Sequence, residues 1–162
     1  MLTFEHLVQL NDDELPLSAI LSRADVWNGL YLRAHQPTEF VIGLDSCTIL
    51  SEQRDGDVHT LERLLDFGPF KVQDTVTLIT QQKIVTVVEA NADFPRSEYQ
   101  ITIEEPEPGQ LFLRFLYVLD LDVEDTEIDH MTNELRKQAY YASDLDTVQR
   151  IRELVANGRS FH

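Results

Sequence analysis

Charged and phenolic side chains recur among apolar residues in the middle of the chain, where they could perform acid–base chemistry. The members of this polar stripe are Arg63, Asp74, Glu89 and Tyr99. Two carboxylates beside one arginine would differ in pKa, and the one with the raised pKa could exchange protons with a substrate. The same residues could instead form an ion-pair ladder in a hydrated cavity, or supply polar contacts to a ligand. We favour the lining of a cavity.

The stripe depends on strand register, because side chains alternate between the two faces of a strand. A two-residue turn at Gly68-Pro69 predicts that Phe67 faces Phe70 and that Arg63 faces Asp74. This register keeps both phenylalanines inside the sheet, which favours it over a register shifted by one residue.

Two further connections extend the stripe along the sheet. A two-residue turn at Gln81-Gln82 predicts that Asp74 lies beside Glu89. A five-residue loop over 92–96 then predicts that Glu89 lies beside Tyr99.

The last strand could end the stripe in either of two ways. Tyr117 faces inward in one register, and Arg114 replaces it if the turn at 106–109 differs by one residue. The first register leaves an apolar patch on the outer face, of the kind that marks protein interfaces. The residues of that patch are Phe112, Leu116 and Val118.

No metal site or cofactor is expected from the spacing of ligand-type residues. The histidines are His6, His35, His59, His130 and His162. They are scattered, and no two show metal-ligand spacing. We interpret His6, between Phe4 and Val8, as a core or cavity-wall residue, with an acid–base role as the alternative. The acidic segment 120–124 resembles the start of a calcium loop, but Asp125 occupies the position of the turn glycine.

The last long segment, 126–157, predicts an α-helix with one apolar face. Its apolar residues fall three or four positions apart, as one face of a helix requires. They are Ile128, Met131, Leu135, Ala139, Ala142, Leu145, Val148, Ile151 and Val155. Such a helix needs a broad apolar surface to lie on. Tyr140 and Tyr141 are interpreted as core and boundary aromatics, one of which could reach a cavity.

Strands and tight turns supply that surface. Alternation predicts strands over 2–10, 45–53, 58–67, 70–80, 83–91, 97–104 and 110–121. Short connections make sequence neighbours antiparallel. Two short helices are expected between the first two strands; Ser22 and Asp25 form a capping box at the start of the first. Gly29 in its interior indicates close packing against another element. The prediction is one α+β domain, 1–162, with a curved seven-stranded antiparallel sheet around a long C-terminal helix.

Composition excludes several classes of partner. The net charge is −16, with 13 basic and 29 acidic residues. Nucleic acids and anionic membrane surfaces require clustered cations, so neither is expected to bind. The single Cys47 cannot form an internal disulfide, which suits a reducing compartment. With no signal-like N-terminus and no long apolar run, a cytoplasmic location is expected.

Several stretches resemble one protein superfamily across nearly the whole chain. These stretches are 27–34 with Pro37 and Phe40, 61–63 with 67–68, 101–106, 146–148 and 151–153. Together with the order of elements, they resemble the AtaL-like branch of the SRPBCC superfamily, the helix-grip fold of START and birch-pollen-allergen-like proteins. The resemblance implies a groove between sheet and helix, in which superfamily members bind hydrophobic ligands. Some members are polyketide cyclases or aromatases.

The resulting hypothesis is a protein that binds a small hydrophobic or aromatic molecule between sheet and helix. The alternatives are a cyclase- or aromatase-like enzyme that uses the polar stripe, and a protein-interaction module that uses the outer sheet face. A monomer or weak homodimer is expected. The predicted cavity lining is Phe4, His6, Arg63, Phe70, Asp74, Val76, Glu89, Tyr99, Ile101, Phe115, Tyr117, Met131, Leu135 and Ala139.

Overall fold

The structure is a computed structural model that describes residues 1–121 and 126–158. Its elements in chain order are β1 (Leu2–Gln9), a 3-10 turn (Leu17–Ala19), α1 (Arg23–His35), a second 3-10 turn (Pro37–Glu39), β2 (Ser46–Asp55), β3 (Val58–Asp66), β4 (Lys71–Ile79), β5 (Lys83–Val88), β6 (Ser97–Glu104), β7 (Phe112–Leu119) and α2 (Glu127–Ala156).

All seven strands form one antiparallel sheet. The strand order is β1-β7-β6-β5-β4-β3-β2, so β2 to β7 form a meander and β1 pairs with its last strand. Helices α1 and α2 pack against each other, and α2 also contacts β1. This confirms the predicted α+β class and the long C-terminal helix. Of the short helices, one is a true α-helix, and single 3-10 turns flank it.

Local sequence explains where α1 begins and ends. The Ser22 hydroxyl accepts a hydrogen bond from the Asp25 backbone N–H at 3.0 Å, and the Asp25 carboxylate accepts one from the Ser22 backbone N–H at 2.9 Å. This reciprocal pair confirms the predicted capping box and satisfies two N–H groups that a helix start leaves unpaired. The helix ends at His35, two residues before Pro37, because a proline disfavours helical geometry in the residue before it.

Gly29 permits the close approach of the two helices. A Cβ at this position would lie 2.7 Å from Ile151 Cγ1 and 2.9 Å from Ile151 Cγ2, closer than carbon atoms can pack. Ile151 is 1% exposed on α2. The prediction that Gly29 marks a packing contact is therefore confirmed, and α2 is its partner.

The core lies between the inner face of the sheet, α1 and only part of α2. The buried residues of α2 are Asp144, Thr147, Val148, Ile151 and Leu154. Opposite them, Leu61, Val76, Ile101, Leu113 and Phe115 are among the buried residues of the sheet. The described residues include no helix that is both long enough and apolar enough to cross a membrane.

The predicted apolar face of α2 is wrong over its N-terminal half. Met131 is 66% exposed and Leu135 is 65% exposed, and Ala139 and Ala142 are exposed too. From 139 to 151 the predicted stripe advances three residues at each step, which falls about 60° short of a full turn each time. The stripe therefore travels around the helix, and its two ends lie on opposite sides. Of the stripe residues, Val148 and Ile151 are the ones buried in the core.

Candidate functional site

An open groove lies between the sheet and the N-terminal half of α2. Its volume is about 380 Å³. Most of its lining is apolar, and Arg136 supplies the charge. The residues that line it are Val72, Val88, Phe94, Pro95, Ser97, Leu119, Leu121, Arg136 and Tyr140.

A buried polar cluster lies beside this groove, with Asp144 of α2 at its centre. The Asp144 carboxylate accepts hydrogen bonds from the Tyr99 hydroxyl at 2.5 Å and from the Tyr117 hydroxyl at 2.7 Å. His6 Nε2 lies 3.0 Å from the second carboxylate oxygen. Asp144 is 0% exposed, so the two phenols supply the hydrogen bonds that water would otherwise donate.

Aromatic rings join the cluster to the groove. Tyr140 lines the groove, and its ring stacks on that of Tyr117 with centroids 3.9 Å apart. Phe4 contacts Tyr140 edge-on at 5.8 Å, and His6 stacks on Phe115 at 5.1 Å. One phenol ring is thus part of both the groove wall and the covering of the polar cluster.

Burial sets the protonation behaviour of the cluster. It raises the pKa of Asp144 above its ordinary value, although hydrogen bonds from Tyr99 and Tyr117 oppose the shift. It also raises the pKa values of both phenols, which therefore remain protonated donors. The pKa of His6 is lowered by burial, against the attraction of Asp144. His6 also borders a second cleft of about 300 Å³, with Glu134, Lys137, Gln138 and Tyr141.

The predicted pairing of Arg63 with Asp74 is confirmed. The two residues are register partners, and the guanidinium donates to both carboxylate oxygens at 2.9 and 2.7 Å. A third nitrogen of Arg63 donates to the Ala34 carbonyl at 2.6 Å, which links the sheet to α1. Both side chains are buried, and neither lines the groove. The pair therefore holds α1 against the sheet.

The extension of the stripe through Glu89 is wrong. The turn after β4 has three residues, with Gln81 in the left-handed region at φ 57°, and it pairs Ile79 with Lys83. Glu89 follows the end of β5, its side chain is 78% exposed, and it lies 3.6 Å from Arg96. Tyr99 pairs with Thr86 instead of Glu89.

The other predicted lining residues have mixed outcomes. Phe4, His6, Tyr99, Phe115 and Tyr117 meet around Asp144 and Tyr140, as described above. Val76 and Ile101, each 1% exposed, are packed core residues. Phe70 does face Phe67, with ring centroids 5.0 Å apart, but it is 45% exposed at the sheet rim. Met131, Leu135 and Ala139 face away from the sheet, for the reason given above.

The register of β7 resolves the choice between Tyr117 and Arg114. Tyr117 faces inward, opposite Phe4 and Tyr99. Arg114 lies on the outer face, where it bonds Glu5 at 2.5 Å and also Glu104. These ions interrupt the predicted outer apolar patch of Phe112, Leu116 and Val118, whose residues are only partly exposed.

Sequence reasoning missed Asp144, the residue on which the cluster depends. One signal was available: Asp144 is four residues from both Tyr140 and Val148, so it lies on the same helix face as the anchoring residues. An acid on a packed face needs partners, and the phenols supply them. The acidic segment around Asp122, interpreted as a solvated turn, falls at 122–125, outside the described residues.

Comparison with known families identifies this architecture. The model of the AtaL family, described as acetylaranotin biosynthesis cluster protein L, matches residues 8–158. The chain belongs to this family. Membership in the AtaL family confirms the resemblance proposed from the sequence. A comparison with curated proteins gives no match.

Solved structures similar to this AtaL-family chain share its fold. The di-domain ARO/CYC StfQ from the steffimycin biosynthetic pathway has a TM-score of 0.63 and 11% identity, with 93% of this chain and 50% of that chain covered. The ZhuI aromatase/cyclase from Streptomyces sp. R1128 has a TM-score of 0.58 and 14% identity, with 98% of both chains covered. Ara h 8.0201 has a TM-score of 0.55 and 10% identity, with 96% and 97% covered.

The chain spans about half the length of the di-domain structures it matches. At these identities the likeness shows the helix-grip fold alone.

Proposed function

We propose that this protein binds a small, largely hydrophobic molecule in the groove between the sheet and α2. The observation that carries the proposal is the groove itself, about 380 Å³ of mostly apolar surface at the place where the helix leaves the sheet uncovered. Ligand pockets of this kind combine apolar walls with a few polar groups that fix orientation. The groove offers Arg136 and the phenol of Tyr140 for that purpose.

The shape of the groove favours a flat ligand. Phe94 and Tyr140 present planar rings, and the ring of Tyr140 is stacked on that of Tyr117. Aromatic rings prefer stacked or edge-on partners with centroids about 4.5–7 Å apart. An aromatic or polycyclic molecule with one anionic or hydrogen-bonding group near Arg136 would match this lining. We expect the protein to be a monomer or a weak homodimer.

A cyclase- or aromatase-like enzyme is the second candidate, and the buried cluster favours it. His6 contacts Asp144 on one side and a solvent-facing cleft on the other. That arrangement could carry a proton between solvent and the interior, and the Tyr117 hydroxyl could donate to a substrate oxygen. We rank binding first because Tyr140 stacks over Tyr117, and that ring would have to move before a substrate could reach the cluster.

Filling the groove tests the proposal. Ser97 lines the groove, so Ser97→Trp should block it, whereas Gln100→Trp on the other face of β6 is the matched control. The probe is 8-anilinonaphthalene-1-sulfonate, an apolar anion followed by its fluorescence. Binding should survive in the control and fall at least about tenfold in Ser97→Trp, since about 1.4 kcal/mol of lost contact suffices.

Near-UV circular dichroism of both variants would establish that they keep native packing. Equal probe binding by wild type and folded Ser97→Trp would reject the groove as the site. Native mass spectrometry of gently purified wild type would weigh any co-purified ligand and count subunits.

The enzyme candidate has its own test once a ligand is known. Asp144→Asn and Tyr117→Phe keep the volume of the cluster but remove its proton chemistry. An enzyme that uses these groups should lose about 10²–10⁴-fold in turnover while binding persists. A binder has no turnover to lose.

A further inference from the structure

Three side chains that could bind a metal ion converge at the end of the sheet opposite the groove. His35 is the last residue of α1, Glu52 is on β2 and His59 is on β3. A ligand atom from each lies within 4.8 Å of the others. None of the three lines the groove proposed above.

Both imidazoles approach the same carboxylate oxygen. His35 Nε2 lies 3.3 Å from Glu52 Oε1, and His59 Nε2 lies 2.5 Å from that atom. A tetrahedral zinc ion with bonds of about 2.1 Å would hold its ligand atoms about 3.4 Å apart. The His35–Glu52 separation already fits, and the His59 contact needs to open by about 1 Å.

A β-bulge puts Glu52 on the correct face of the sheet. Pairing with β3 shifts between Ile49 and Ser51, so Leu50 has no partner and Glu52 pairs with Leu61. In an unbroken register Glu52 would be opposite Thr60 and would point to the outer face. Bulges reorient side chains in this way, often at functional sites. The result here is a carboxylate on the side that carries His59.

Hydrogen bonding orients His35 as a metal ligand would be oriented. Its Nδ1 lies 3.0 Å from the backbone carbonyl of Tyr31, and a carbonyl can only accept. Nδ1 therefore donates to that carbonyl, and Nε2 is the ring nitrogen that faces Glu52. Metal-binding histidines typically donate their other ring N–H to a carbonyl or carboxylate in this manner.

His59 is held against Glu52 beside an open pocket. The residue is 7% exposed, and its Nε2 lies 2.5 Å from Glu52 Oε1. Its neighbour is a pocket of about 220 Å³, which it lines with Tyr31 and Arg54. A fourth ligand could occupy that space.

We infer that His35, Glu52 and His59 form a binding site for a divalent first-row transition-metal ion such as Zn²⁺. Two imidazole nitrogens and one carboxylate oxygen suit zinc and its neighbours rather than calcium or magnesium, which prefer oxygen ligands. Three protein ligands leave one position of a tetrahedral ion open to water or a small anion. The competing explanation for the contact is a proton shared between the Glu52 carboxylate and the two imidazoles.

Calorimetric titration of tag-free, chelator-treated protein with ZnCl₂ tests this inference. The wild type should saturate at one ion per chain. His35→Gln, Glu52→Gln and His59→Gln should each weaken binding at least about tenfold, the lower end of what losing even an outer-shell partner costs. His130→Gln is the matched control, since it removes an exposed histidine of α2 and should leave binding unchanged.

Glu52→Gln is the most informative variant, because its side chain is 42% exposed and the fold should tolerate the change. Circular dichroism would confirm that each variant is folded. Absence of one-to-one binding by wild type would overturn the inference, as would equal affinity in folded Glu52→Gln. Either result would leave the shared proton as the explanation of the contact.

Discussion

Arg63 and Asp74 show how one buried pair can connect two layers of the fold. The guanidinium bonds the β4 carboxylate twice and the α1 carbonyl once. We expect Arg63→Ala to lower the free energy of unfolding by about 3–5 kcal/mol, because it leaves a buried carboxylate without its partner. Adding Asp74→Asn should recover part of that loss. Urea unfolding of the two single variants and the double variant measures the coupling.

Independent, additive losses in that cycle would contradict the assigned role of the pair. So would an effect of about 1 kcal/mol or less, which is typical of surface ion pairs.

His6 gives the buried cluster a dependence on pH. Burial lowers its pKa from the ordinary 6.5, and the groups facing it include Asp144 of α2 and Phe115 of β7. Below pH 6.5 the unfolded chain binds a proton more readily than the folded chain, so stability is lost as pH falls through the lowered folded pKa. The free energy of unfolding should therefore drop more between pH 8 and about 5.5 in wild type than in His6→Gln.

Comparison with the variant matters because His59 has a pKa lowered in the same direction. Its contribution is present in both proteins and cancels from the difference. Identical pH profiles for wild type and His6→Gln would contradict this assignment.

The contact between α1 and α2 predicts that the effect of Gly29→Ala on stability changes sign when Ile151 is shortened. Alanine is the better helix former by about 1 kcal/mol, but its Cβ at position 29 would meet Ile151. Gly29→Ala should therefore destabilise the wild type by about 1–3 kcal/mol through overpacking. In an Ile151→Ala background the clash is gone, and the same change should stabilise. Thermal or urea melts of the four proteins decide it.

The accuracy of prediction from sequence also varied by element. The turn at Gly68-Pro69 has the expected two residues, so the facing of Arg63 and Asp74 was predictable. At Gln81-Gln82 a glutamine adopts a positive φ that its residue type does not suggest, and the turn has three residues. An error of one residue in a turn reverses the face of every side chain on the next strand, so Glu89 was misplaced. Tyr99 was placed correctly, because the alternation within its own strand fixes its face.

The two polar clusters could not be predicted from the sequence, because each is formed by contacts between elements that are distant along the chain. Asp144 meets His6 across 138 positions of sequence, and no spacing rule covers that range. The cluster of His35, Glu52 and His59 depends on a bulge at Leu50, and no glycine at that position indicates the bulge in the sequence. The fold class was easier to predict, because strand alternation, turn residues and helix caps are all local signals.

The charge of the whole molecule should make its stability sensitive to salt. A net charge of −16 on 162 residues disfavours the compact state through self-repulsion. Ions screen this repulsion over a Debye length of about 10 Å at 0.1 M. The urea midpoint should therefore rise as NaCl increases toward that range. The coupling of Arg63 with Asp74, which is buried, should change little in the same series.

The two ends of α2 have different relations to the rest of the molecule. Its C-terminal half is fixed by Ile151 against α1 and by Asp144 against the sheet, whereas Arg136 borders the open groove and Tyr140 lies between the groove and the ring of Tyr117. If the groove binds a ligand as proposed, fold and specificity are encoded in separate segments of one helix. Substitutions near Arg136 would then alter which molecule fits without disturbing the anchor, so a protein built this way could diversify its ligand during evolution while its architecture is preserved.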